Sequence, residues 1–146
     1  MTTIEEKQNA IIDEFALFDD WMDKYAYIIE LGKDLEPLPE EMKTKENLIE
    51  GCQSKVWVLA DYSDGKVHFR GDSDAILTKG LVSLIIRAYT DQTPSDIIEN
   101  QPTFIEKIGL SEHLSPTRSN GLNSMIKQIK LYAMAYKVKY ETNIPK

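Results

Sequence analysis

Along this chain the apolar residues are spaced first as in helices, then in alternation, then again as in helices. Ala10, Ile11, Phe15 and Phe18 recur at helical intervals behind Thr3 and Glu6, a capping-box pair, which predicts a first helix over about residues 4–17. Asp19 and Asp20 interrupt it and start a second, with acidic side chains at its positive end and Trp21, Tyr25, Ile28 and Ile29 on one stripe. Gly32 is the expected C-terminal cap. Pro37 and Pro39 then break all periodicity between Lys33 and Lys45, predicting a long loop. Loops of that length often carry function, and a simple crossover from helices to sheet is the equal alternative.

Residues 47–51 and 54–60 read as two short strands, the second with Val56, Val58 and Ala60 opposite Lys55, Trp57 and Leu59. Asp64-Gly65 is a hairpin dipeptide, and residues 66–70 alternate beyond it, Val67 and Phe69 facing away from Lys66, His68 and Arg70. The expected sheet is a three-stranded antiparallel meander. His68, with a cation on either side along its face, is expected on the solvated surface.

Ser73 or Asp74 is placed to cap a helix that runs to about Tyr89 and is apolar nearly all round, hence buried. Gly80 inside it costs roughly 1 kcal/mol of helix propensity relative to alanine, so it predicts a close approach of another backbone or of the sheet. Thr93-Pro94-Ser95-Asp96 opens a short helix ending near Asn100, and residues 103–108 suggest another, stopped by Gly109. The last helix follows His113 to Leu122 and carries Leu122, Met125, Ile126, Ile129, Tyr132 and Tyr136 as its buried stripe. Residues 137–146 lose the pattern and are expected to fray. Helices around one small antiparallel sheet make an α+β fold, and no repeat or boundary divides residues 1–146 into more than one domain.

Composition narrows the function classes. A chain of 146 residues with 42% hydrophobic content supports a single core. A net charge of −7 disfavours nucleic acid and anionic membrane surfaces as partners. The apolar run from Leu81 to Ile86 is far too short to span a bilayer, and residues 1–6 lack the basic and apolar regions of a signal peptide, so a cytoplasmic location is expected.

Cys52 is the sole cysteine, and the histidines are His68 and His113. This set excludes an internal disulfide and offers no thiolate-rich metal site, so neither a metal nor a bound cofactor is expected. Cys52 is then a structural thiol or a single reactive one. Its place in Gly51-Cys52-Gln53-Ser54, at a glycine-hinged turn among polar residues, favours the reactive reading.

A thiol at its ordinary pKa is only slightly ionised at neutral pH and needs help to act as a nucleophile. Arg118 opens the last helix, where the macrodipole disfavours a cation; it is a candidate to stabilise an anionic sulfur, or else pairs with Asp72, Asp74 or a partner's carboxylate. A Cys/His hydrolase with His113 as general base for Cys52 is a further possibility. No oxyanion or phosphate-binding motif accompanies that pair.

The segments Trp21 to Gly32, Ile49 to Val58, Gly71 to Ala75, Lys79-Gly80-Leu81 and His113 to Leu122 together resemble the SufE family of sulfur-acceptor proteins. Gly-Cys-Gln-Ser followed by Val56-Trp57, together with the His113 to Leu122 stretch, carries the resemblance most specifically, and the last ten residues lie outside it. The resemblance implies an α+β fold shared with IscU-type iron–sulfur scaffolds and a sulfur-accepting Cys52. It implies transpersulfidation from a pyridoxal-phosphate cysteine desulfurase of SufS type, stimulation of that enzyme, and delivery of the sulfur to iron–sulfur cluster assembly on a SufBCD-like scaffold. Gln53, Ser54, Asp74 and Arg118 are the candidates for holding the Cys52 loop or meeting the partner. A solitary thiol suits a carrier better than a scaffold, which needs several ligands to build a cluster. A noncatalytic module regulating a desulfurase by contact is the competing class, and a homodimer stays open.

Overall fold

Residues 2–52 and 54–141 are described by the computed structural model. Two helices come first, α1 (Ile4–Phe15) and α2 (Trp21–Lys33), followed by a loop with one-turn 3-10 helices at Glu40–Met42 and Lys45–Asn47. The hairpin β1 (Val56–Ser63) and β2 (Lys66–Ser73) comes next. Then follow α3 (Ile76–Tyr89), α4 (Pro94–Glu99), α5 (Thr103–Lys107), α6 (Leu110–His113) and α7 (Pro116–Tyr136). The architecture is α+β, with helices packed on one face of a small antiparallel sheet.

Local chemistry accounts for most boundaries. Thr3 and Glu6 form the reciprocal capping box, Thr3 Oγ1 accepting from Glu6 N at 3.1 Å and Thr3 N donating to Glu6 Oε1 at 3.2 Å. Asp20 Oδ1 caps α2 through Asp23 N at 2.9 Å. Gly32 is not a cap: α2 continues through it to Lys33, and Gly32 is buried. The reason is packing against α3, because a Cβ on Gly32 would lie 2.7 Å from Gly80 N and one on Gly80 would lie 2.1 Å from Ile28 O. Two glycines let the two helix backbones touch.

The first residue of α3 follows Ala75, which caps it without a side-chain bond. Ser73 and Asp74, the expected caps, are used otherwise: Ser73 Oγ donates to Lys55 O at 2.8 Å, and Asp74 Oδ1 accepts from Lys55 N at 3.0 Å. Both stitch the start of β1 to the turn before α3.

The sheet has two strands among the described residues rather than three. The segment expected as its first strand contributes one bridge, Leu48 to Trp57, with Ile49 N donating to Val56 O at 2.8 Å. Farther along, α7 covers that edge: the Tyr132 and Tyr136 hydroxyls donate to Val58 O and Ala60 O, each at 3.0 Å. Side chains thereby satisfy carbonyls that a third strand would have used.

The inner face of the hairpin, with Val58, Val67 and Phe69, packs on α3, and Ile11, Phe15, Ile28, Phe104 and Ile129 close the core around it. The outer face carries Trp57 and Asp72 at one end, covered by the loop at Leu38 and Lys43, and Asp61, His68 and Arg70 at the other. His68 lies on the polar face as its alternation predicts, partly exposed, and is bonded there to Ser63 and Asp91. The helix at the C-terminal end continues as a π turn over Lys137–Glu141, where Tyr140 stacks on Tyr62 at 4.2 Å. The rest of the predicted tail, 142–146, lies outside the described residues. No helix among the described residues is long and apolar enough to cross a membrane.

Candidate functional site

Cys52 sits on the short loop between Ile49, tied to Val56, and the beginning of β1. Gly51 before it has φ +89°, a left-handed conformation that only glycine adopts without strain, and a Cβ there would come within 2.7 Å of Ser124 Oγ. The loop therefore turns sharply against α7. Cys52 Sγ donates to Gly121 O across 3.6 Å, and a Cβ on Gly121 would lie 3.3 Å from Sγ. Glycine in this turn of α7 leaves room for the thiol.

The thiol borders a cavity of about 20 Å³ lined by Ser54, Thr78, Leu81, Thr117, Arg118, Gly121 and Met125. That volume holds about one water-sized group. Apolar walls come from Leu81 and Met125, and hydroxyls and a guanidinium come from the first turn of α7 and from α3. Burial pushes the Cys52 thiol above its ordinary pKa. The Gly121 carbonyl acts in the same direction, since it accepts from S–H and repels S⁻. In this conformation the sulfur is protonated and a poor nucleophile.

Two features of the cavity favour an anion nonetheless. Arg118 lines it and forms no ion pair with a carboxylate among the described residues. The start of the 21-residue α7 faces it with the positive end of the helix dipole. Neither Asp72 nor Asp74 takes Arg118, the pairing the sequence left open. Asp72 is held by Lys43 and Lys79, and Asp74 by the Lys55 amide.

The other candidates separate. Ser54 lines the cavity with Cys52. Asp74 does not line it but fixes the loop's exit through the paired backbone and side-chain bonds to Lys55. Gln53 lies outside the described residues. His113 is stacked on Trp21 with ring centroids 4.0 Å apart, its Nδ1 is 3.0 Å from Gly109 O, and it is absent from the cavity wall. The Cys/His pairing needed for a hydrolase is not formed.

Gly121, Thr78, Thr117 and Met125 join the cavity wall without having been site candidates from the sequence, where Met125 belongs to the buried stripe of the last helix. A signal existed for Gly121, a helix-interior glycine whose propensity cost marks a close approach, as at Gly80. Gly121→Ala is expected to wedge the thiol away from its carbonyl acceptor. Losing that acceptor should lower the thiol pKa and so raise the thiolate fraction. Iodoacetamide alkylation of the isolated protein should accelerate accordingly, and an unchanged rate would show that Gly121 does not hold the thiol back.

The sequence matches the family described as "SufE: Fe-S metabolism associated domain" over residues 9–133. It is 43% identical over 135 residues to an uncharacterised SufE-like protein of Rhizobium meliloti (strain 1021), covering 89% of this chain and 94% of that one. The fold is similar to the solution structure of a hypothetical protein from Thermus thermophilus, with a TM-score of 0.74 at 20% identity, covering 92% of this chain and 97% of that one. With the family match spanning the Cys52 loop and the α7 turn that encloses it, this chain belongs to the SufE family of domains associated with iron–sulfur metabolism.

Proposed function

We propose that the protein is a sulfur acceptor in which Cys52 takes persulfide sulfur from a cysteine desulfurase. The observation that carries this reading is the one-group cavity beside a solitary thiol, walled by Gly121 and faced by Arg118. The Cys52 thiolate attacks the terminal sulfur of the donor's cysteine persulfide. A new S–S bond forms at Cys52, the donor's S–S bond breaks, and the donor cysteine leaves as a thiolate. The product differs from the resting thiol by one sulfur atom. A cavity that holds one small group, with a guanidinium beside it, suits that added and readily ionised atom.

The protonated resting state implies a movement. Withdrawn against Gly121 and protonated, the sulfur reacts slowly and is poorly placed to meet a donor, so the loop swings out about Gly51 when the donor docks. Asp74, through Lys55, anchors the exit of the loop, and Arg118 receives the charged sulfur on its return. A SufS-like pyridoxal-phosphate desulfurase is the donor in this reading, and a SufBCD-like scaffold the recipient, in the cytoplasm. The desulfurase speeds up because its persulfide is unloaded.

The test is direct. After incubation with cysteine and a pyridoxal-phosphate desulfurase, intact mass should show one added sulfur, mapped to Cys52. Cys52→Ser should still bind the desulfurase yet gain no sulfur and give no stimulation. Full stimulation by Cys52→Ser would instead identify a regulatory module acting by contact.

A further inference from the structure

Away from Cys52, three polar side chains meet on the outer face of the sheet. Ser63 ends β1, His68 lies on β2, and Asp91 follows α3 in the turn that comes back to β2. His68 Nε2 is 2.9 Å from Ser63 Oγ and 3.3 Å from Ser63 O, and His68 Nδ1 is 2.5 Å from Asp91 Oδ1. Asp91 is held by its own N–H, which donates to Val67 O at 2.8 Å, in a left-handed conformation with φ 62°. Nothing in the proposed sulfur transfer uses these residues. A hydroxyl within hydrogen-bond reach of an imidazole that a carboxylate orients is the arrangement that activates a serine.

A groove of about 180 Å³ opens beside His68. Met42, Leu59 and Ala60 give it apolar walls, and Asp61 and Arg70 give it charge. The groove is several times larger than the Cys52 cavity and is separated from it by the sheet, whose other face meets α3. It is the size of a small organic molecule rather than a single atom.

We propose that Ser63, His68 and Asp91 form a second site, a serine nucleophile that accepts the acyl group of a small carboxylic ester; His68 alone of the three lines the groove, so the ester carbonyl would lie at its His68 edge, within reach of Ser63. Asp91 accepts the Nδ1 proton of His68, which leaves the Nε2 lone pair facing the Ser63 hydroxyl. Ser63 Oγ bonds to the ester carbonyl carbon while His68 Nε2 takes the hydroxyl proton. The alcohol leaves with that proton as its C–O bond breaks. Water, deprotonated by His68, then displaces Ser63 and releases the carboxylic acid. No oxidant or reductant enters.

The pH dependence follows from the charges around the imidazole. Asp91 faces it from the turn after α3 and Asp61 from the opposite position on β1, while Lys66 and Arg70 share its strand and Lys7 of α1 faces Asp91. The hydrogen bond to Asp91 comes first among the effects that hold the His68 pKa above its ordinary value. Only the neutral ring can take the serine proton, so acylation should rise with pH through that elevated pKa and then level off.

The experiment uses the full chain carrying Cys52→Ser, so that the thiol contributes nothing to ester cleavage. Hydrolysis of p-nitrophenyl acetate is followed, together with labelling by a fluorophosphonate, in which Ser63 Oγ bonds to phosphorus as fluoride leaves. The label should map to Ser63, and Ser63→Ala, a change at an exposed position, should remove both label and hydrolysis. Loss of the general base in His68→Gln should slow both by about 100-fold. Asp91→Asn should slow both by at least about tenfold, with circular dichroism confirming that each variant is folded. Absence of label at Ser63, or labelling of Ser63 at an undiminished rate in folded His68→Gln, would overturn the assignment.

Discussion

Gly80→Ala should destabilise the protein by about 3 kcal/mol or more, the upper range for inserting a methyl group into a packed core. Alanine is the better helix former by about 1 kcal/mol, so propensity alone predicts the opposite sign. Contact decides it. The added Cβ would lie 2.1 Å from Ile28 O and 2.7 Å from Ile28 C, which are backbone atoms of α2 and cannot rotate away as a side-chain tip could. Relief requires α2 and α3 to separate along the buried face that also holds Gly32, and α3 is the helix on which the sheet rests. Urea unfolding should show the loss, and the melting temperature should fall by roughly 10 °C for a domain of this size. Stability within about 1 kcal/mol of the parent, the size of the propensity gain, would mean that the helices slide apart at little cost.

Asp72→Asn is expected to cost about 3 kcal/mol at neutral pH, the scale for removing one partner from a buried charge cluster. Asp72 is only 3% exposed. Its Oδ2 accepts from Leu38 N at 3.0 Å and its Oδ1 from Ser73 N at 2.8 Å, with Lys43 at 3.5 Å and Lys79 at 3.4 Å. One carboxylate thus joins the long loop, β2 and α3. Burial pushes its pKa up, but the two amides and the two lysines more than offset this, and the carboxyl lies below its ordinary value. A pKa lower in the folded than in the unfolded chain stabilises the fold above the unfolded value, and that stabilisation is lost as pH falls through the folded one. The gap between parent and Asp72→Asn should therefore be full at pH 7 and shrink below about pH 4, where an ordinary carboxyl begins to protonate. A gap that is constant across that range would assign the effect to shape rather than charge.

Both residues show how far a linear reading reaches. Gly80 announced a close approach because glycine is costly in a helix and apolar neighbours surrounded it, but its partner, Gly32, looked like a helix stop. The difference lies tens of residues away in sequence and depends on which helix α2 meets. Asp72 lies beyond the alternation read over residues 66–70 and gave no hint of burial, because the loop that covers it is the segment in which Pro37 and Pro39 erase periodicity. The third strand failed for a related reason. Residues 47–51 have strand-like composition, but the hydroxyls of Tyr132 and Tyr136, counted only as a helix stripe, had already claimed the edge carbonyls of β1.

The site divides in the same way. Cys52, its glycine hinge and its family were legible, since they depend on residue identity and short spacing. The cavity was not, because its walls come from Ser54, α3 and α7, and its size depends on the absent side chain of Gly121. The sequence left Arg118 between stabilising an anionic sulfur and pairing with Asp72, Asp74 or a partner's carboxylate; α7 set against the loop puts it in the cavity wall, away from both aspartates, and the stacking of His113 on Trp21 keeps that ring out of the wall. Ser63, His68 and Asp91 give no signal as a spacing, the first two on a hairpin and the third beyond a helix. Periodicity, caps and turns follow from interactions within a few residues, and these the chain states openly. Which groups are buried together, and so which are charged, protonated or reactive, follows from contacts across tens of residues, and these came from the packing of α3 and α7 on the sheet.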